Sequence, residues 1–214
     1  MTPHTKLSAG LLLTACAGFV DAVGFLELGG YFTSFMSGNT TQLGVGLARP
    51  LGAAPALPLA LVLMFFSGGL FGSLLALSWA RWGQPVVVAT VLVSVLAALA
   101  LTALGVPIGA AMLPLALGAG AQNAILPPAG AARLGTTFVT GTLFAAAQDL
   151  ARALRREAPP FRWLQHAAVW ASLCAGAAIG GGADLRWGTA ALVVPLMAYA
   201  GFLLWFVAAG GRSR

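Results

Sequence analysis

Charge is what this chain has least of. Only 7% of its 214 residues are Asp, Glu, Lys or Arg, against roughly 25% in an ordinary soluble domain. With 59% hydrophobic residues, a water-borne particle of this size could not cover its surface with hydrated groups. The chain is therefore expected in a bilayer. Cysteine is nearly absent as well. Cys16 and Cys174 cannot make a disulfide framework, lack metal-ligand spacing, and read as small buried hydrophobes. Phosphate loops, nucleotide fingerprints, Gly-x-Ser-x-Gly elbows and His-Glu-x-x-His pairs are all missing. Their absence excludes an ATP-driven pump built from this chain alone. The 28 glycines show no period of three, so the chain is not collagen-like. Neither a metal nor a cofactor is expected, and no catalytic residue is assigned.

What is present is apolar sequence in long runs. Six stretches meet the roughly 20 residues of a membrane helix: Leu7–Leu28, Ala56–Ala80, Val86–Leu104, Ile108–Leu126, Trp163–Ala183 and Trp187–Ala208. Proline and glycine punctuate the joints between them. Five of the six tryptophans (Trp79, Trp82, Trp163, Trp187 and Trp205) sit near span ends, the headgroup level that suits an amphipathic ring. The expectation is an all-α polytopic membrane protein, a single integral domain over 1–214. Lys6 before an apolar run resembles a signal peptide, and Leu13-Thr14-Ala15-Cys16 loosely fits a lipoprotein box. The run continues through Phe25, so cleavage there would halve a span, and the stretch is kept as the first span.

Two further segments are long enough to span but more polar: Tyr31–Arg49 and Leu134–Arg152. Hydroxyls and amides are costly against lipid tails and tolerable inside a bundle or along a watery cavity. Aligned without gaps, Ser34–Arg49 lies over Thr137–Arg152: Ser-Phe-Met-Ser-Gly-Asn matches Thr-Phe-Val-Thr-Gly-Thr, and both end Leu-Ala-Arg. Upstream, Ala17–Ala22 lies over Ala119–Ala124; downstream, Ser67–Gly72 lies over Ala175–Gly180. This ordered series points to two internal repeats, about 7–105 and 107–208. Gly38 is then expected to fall on Gly141, and Asp21 near the position of Asn123.

Ala17-Gly18-Phe19-Val20-Asp21-Ala22-Val23-Gly24-Phe25, then Gly29-Gly30-Tyr31-Phe32 and Met36-Ser37-Gly38-Asn39-Thr40, resembles the signature of the YoaK-like family, domain of unknown function 1275. Gln122-Asn123-Ala124 and Thr140-Gly141-Thr142 fit it too. The resemblance covers nearly the whole chain and implies a small bacterial polytopic inner-membrane protein with no established activity. Where that family often has Thr before Gly-Asn, this chain has Ser37, which keeps the hydroxyl.

Of five acidic residues, four have ordinary readings. Glu157 and Asp184 are expected in solvated loops, Glu27 at the interface, and Asp149 in a local helical pair with Arg152. His166 has no His, Cys or carboxylate at ligand spacing. Asp21 differs: it lies fourteen residues into the first span, about 21 Å along a helix. A carboxylate there is a functional-site hypothesis, its structural alternative being a hydrogen bond to Ser37, Asn39 or Thr40.

The leading functional expectation is a small-solute transporter or permease. Its site would be lined by Asp21, Ser37, Gly38, Asn39, Thr40, Gln122, Asn123, Thr140, Gly141 and Thr142, between repeats near the midplane. The alternative is a non-transporting structural or regulatory subunit whose polar residues are helix glue. An intramembrane enzyme is least favoured, because one carboxylate without a paired acid, base or nucleophile is a poor constellation. Expected partners are the lipid bilayer and an unidentified small solute or ion, not nucleic acid. Assembly with further copies of the chain, as a homo-oligomer, stays open. The net charge of +6 is read as a cytoplasmic arginine and lysine excess, which puts both termini in the cytoplasm. Eight spans with parallel repeats and six with inverted repeats both satisfy that rule; the 19-residue length of each polar segment favours eight.

Overall fold

A computed structural model describes residues 3–48, 55–79, 82–126 and 139–211. Arg49, Arg81, Arg133, Arg212 and Arg214, and the polar segment from Leu134 to residue 138, lie outside the described residues. The described elements are helical: α1 Pro3–Glu27, α2 Met36–Leu47, α3 Ala56–Ser78, α4 Gly83–Ala103, α5 Ile108–Ala111, α6 Leu113–Gln122, α7 Val139–Leu154, α8 Trp163–Trp187, a 3-10 turn Gly188–Leu192, and α9 Val193–Gly211.

Four stretches are long and apolar enough to cross a bilayer: Leu7–Glu27, Ala56–Ser78, Gly83–Ala103 and Trp163–Ala208. The first three match expected spans. The fourth runs 46 residues and contains two of them, α8 and α9. They part at Gly188, whose φ of +56° leaves the helical region. Pro195 follows in the first turn of α9 and has no N–H for the Ala191 carbonyl. The expected span Ile108–Leu126 is shorter and interrupted. Its helix breaks at Met112 because Pro114 cannot donate back to Ala110, and it ends at Gln122. Asp184 is corrected. It sits inside α8, buried against Glu27, and not in a solvated loop.

Neither polar segment forms a full-length spanning helix within the described residues. α2 has 12 residues, about 18 Å at 1.5 Å per residue, well short of the roughly 30 Å hydrocarbon core. The polar stretch whose length favoured eight spans is divided here between a short helix and the non-helical chain before it. α7 has 16 residues, about 24 Å.

Small residues set how the long helices meet. A methyl group on Gly18 would collide with the Leu173 carbonyl, one on Gly176 with Ala15, and one on Gly180 with Phe19. α1 and α8 thus touch backbone to backbone, and because the pairs advance together the two helices run in the same direction. A second crossing, α3 with α6, uses Gly68 against Leu117, Gly72 against Ala121, and Gly120 against Phe65 and Gly69. Gly68/Gly72 and Gly176/Gly180 each have the small-xxx-small spacing that allows this approach. The close backbones replace the apolar driving force that lipid does not supply. α1 and α6 run in opposite directions, since Gly10 faces Leu126 while Leu13 accepts from Gln122.

Substitutions at these crossings follow directly. Gly68→Val and Gly176→Val should each cost about 1–3 kcal/mol by overpacking, read as a lower midpoint of thermal unfolding in detergent. Gly182→Ala, where nothing lies within 4 Å, should leave the midpoint unchanged or raise it.

Candidate functional site

The chain leaves α1 at Leu28 and reverses through Gly29 and Gly30, whose φ values of +65° and +105° suit glycine. It then runs back along α1 for six residues' depth, until Thr33 and Ser34 lie beside Asp21. There Asp21 Oδ1 accepts from the Thr33 N–H at 2.8 Å, the Thr33 hydroxyl at 3.1 Å and the Ser34 N–H at 2.7 Å. Gly24 makes the room, since a Cβ on it would strike the Thr33 methyl. Phe32 stacks between Phe25 and Phe35, with ring centroids 4.9 and 5.1 Å away. Asn39, fully buried, closes the turn into α2. Its Nδ2 donates to the Phe32 carbonyl at 2.6 Å and its Oδ1 accepts from the Phe32 N–H at 3.0 Å. Gly38 lies under the Phe35 and Phe32 rings, where a side chain would clash.

Asp21 is therefore bonded to the loop just ahead of the expected partners and to none of Ser37, Asn39 or Thr40. The physical reason is helix geometry: once α2 begins at Met36, its hydroxyls turn back onto their own backbone. Thr40 donates to the Met36 carbonyl and Thr41 to that of Ser37. The remaining expected site residues divide. Asp21 and Thr140 line a cavity of about 610 Å³ with Phe25, Phe32, Trp170 and Leu173. Ser37, Thr140 and Gly141 line a neighbouring one of about 240 Å³ that reaches Ser34 and Phe65. The first turns of α2 and α7 meet there. Gln122 is buried elsewhere, donating to the Leu13 carbonyl at 2.9 Å and accepting from Tyr199. Asn123 donates to Ala119 in its own helix, at 3.1 Å. Gln122, Asn123 and Thr142 line neither cavity.

Four residues went unnoticed in the sequence: Thr33, Ser34, Trp170 and Tyr199. Trp170 carried a signal, being the one tryptophan away from a span end. Thr33 and Ser34 carried only their membership of the polar segment, Ser34 also opening the match with Thr137; their contact with Asp21 was not legible, because only the reversal brings them there. Cys16 is buried as expected, whereas Cys174 is exposed. Asp149 has more than its local partner. Its buried carboxylate lies 3.9 Å from Arg152, 3.0 Å from Arg162 and 3.5 Å from His166, which ties α7 to the start of α8. His166 thus does have a carboxylate beside it, brought from another helix.

The three-donor bond to Asp21 predicts a graded response. Asp21→Asn keeps an acceptor oxygen and should change unfolding little. Asp21→Ala strands the Thr33 and Ser34 N–H groups and should cost about 2–6 kcal/mol, at about 1–3 kcal/mol per stranded buried donor. Equal unfolding midpoints for the two variants in detergent would contradict this geometry.

Comparison with known proteins agrees with the reading of the motifs. The UPF0700 transmembrane protein YoaK of Bacillus subtilis (strain 168) is 28% identical over 145 residues, which is 65% of this chain and 64% of the relative. The match thus spans just under two thirds of that protein's length. No solved structure matches the chain. The profile described as "Protein of unknown function (DUF1275)" matches residues 9–205, nearly the full length, and the chain belongs to that family.

Proposed function

We propose that this protein is a small-solute transporter of the inner membrane, built from two inverted repeats. The observation that carries the reading is the position of Asp21. It is the one carboxylate among the described residues lining a cavity walled by α1, the returning loop, α7 and α8, so both halves of the chain contribute to one site. Intramembrane carboxylates mark substrate and proton pathways, and sites between repeats, beside interrupted helices, are how many secondary transporters are arranged. The ordinary work of a helix bundle requires no such cavity. The enzyme reading stays disfavoured because, among the described residues lining the cavity, there is no second acid and no histidine or lysine to act as base for the Ser34 or Thr140 hydroxyl.

The repeat is supported by the glycine crossings. Gly18 with residues 173 and 177, and Gly120 with residues 65 and 69, are the same contacts under one alignment of the halves. So are Gly176 on Ala15 and Gly68 on Leu117, and Gly180 on Phe19 and Gly72 on Ala121. The equivalent helices α1 and α6 run in opposite directions, the relation that inverted repeats require and parallel repeats forbid. In this scheme α1, α3, α4, the α5–α6 pair, α8 and α9 make six crossings, and α2 is a half-helix that runs back towards the turn after α1, where Gln42 donates to the Gly30 carbonyl at 2.7 Å. Both termini and the Arg152–Arg162 loop then face the cytoplasm, with Arg49 and Arg186 outside, in keeping with the positive-inside rule.

One observation favours the non-transporting alternative: Asp21 is also the clamp of the returning loop, a structural task sufficient to explain its presence. Two experiments separate the readings. In a cysteine-free background, single cysteines at 49 and 186 should react with an impermeant maleimide from outside, and one at 81 only from inside. Labelling of 81 from outside would overturn the six-crossing scheme. In proteoliposomes, flux of at least one member of a panel of ions, metabolites and organic cations should depend on Asp21 and fall in Asp21→Asn. Silence across the panel would favour the membrane subunit.

A further inference from the structure

The larger cavity has a chemistry that narrows what it can hold. Its walls are aromatic and aliphatic, and among the described residues its polar lining is Asp21, Ser34 and Thr140. No described lysine, arginine or histidine lines it. At about 610 Å³ it lies within the range of pockets for drug-sized molecules. A sugar or a zwitterionic amino acid would lose its hydration there and find two hydroxyls and one carboxylate in return, an unfavourable exchange. A bare inorganic ion fares worse, since the aliphatic wall supplies no ligands. An anionic lipid headgroup would meet the charge of Asp21 with no cation to offset it. A molecule with an apolar body and a delocalised positive charge meets none of these penalties. Its body fills the wall, its charge pairs with the carboxylate, and the aromatic wall residues Phe25 and Trp170 are available for cation–π attraction. Phe25 and Trp170 are 41% and 45% exposed, so the mouth of the cavity opens on the flank of the helices, the side from which a lipophilic cation dissolved in the bilayer would arrive.

We infer that the Asp21 cavity is a binding site for lipophilic organic cations. This deepens the transporter reading and rests on it only for movement, not for binding. The probes are tetraphenylphosphonium and tetraphenylborate, which share a shape and differ in the sign of charge. Equilibrium binding to the full chain in nanodiscs, corrected for empty nanodiscs, should show the phosphonium bound about tenfold or more tighter than the borate. Asp21→Asn should weaken the phosphonium by a similar factor and leave the borate unchanged. Leu143→Arg keeps the Asp21 clamp, puts a cation on the opposite wall from α7, and should also abolish phosphonium binding. Equal binding of the two ions, or phosphonium binding indifferent to both substitutions, would overturn the inference. If the phosphonium binds in this Asp21-dependent way but is not carried into proteoliposomes, the site stands and the transporter reading falls. If a polar solute is carried in an Asp21-dependent way and the phosphonium does not bind, the transporter reading stands and this inference falls.

Discussion

The returning loop depends on one hydrogen-bonded carboxylate. Backbone N–H groups cannot lie unpaired against the middle of an apolar helix, because each stranded donor costs several kcal/mol in a medium without water. Asp21 meets that constraint by accepting from two consecutive N–H groups and a hydroxyl with a single oxygen. The loop can therefore descend along α1, and α2 can begin at depth and not at the surface. The cavity exists because the loop and α2 occupy only part of the width that a full helix would fill.

The same constraint accounts for the density of special residues in the first motif. Gly18 lets α1 approach α8, Gly24 clears the Thr33 methyl, and Gly29 and Gly30 turn the chain. Phe32 fixes the loop between two rings, and Asn39 pairs both polar groups of the Phe32 backbone. About half of the residues of that signature have a part in bending the backbone inward or keeping it paired once it is there. A motif of this kind specifies a local backbone path first and a chemical site second. The carboxylate belongs to both, which is why its mutation must be read with the asparagine and alanine variants together.

In the second half the polar residues are used differently. Gln122 spans from α6 to the Leu13 carbonyl and to Tyr199 of α9, joining three helices at a fully buried point. Asn123, aligned with Asp21, turns onto its own helix. The glycine crossings of α1 with α8 and of α3 with α6 are alike, whereas the polar residues differ in use; Asp21 and Ser34 line the cavity on one side and Thr140 on the other.

Composition and pattern by themselves determined the solvent and the class: too little charge for water, and apolar runs of membrane length that became α1, α3, α4, α8 and α9 within a few residues. They also determined that Asp21 was exceptional, because burial of a charge can be read from its distance into an apolar run. Pattern could not decide whether the polar segments cross. Nineteen residues suffice for a span, and only the tertiary structure divides Tyr31–Arg49 between a returning loop and a 12-residue helix. Nor could it find the partners of Asp21, His166 or Asp184, each of which meets a side chain or backbone group brought by a reversal or a neighbouring helix. The reason is range: hydropathy and periodicity are local quantities, whereas the pairing of buried polar groups depends on which helices the glycines allow to touch.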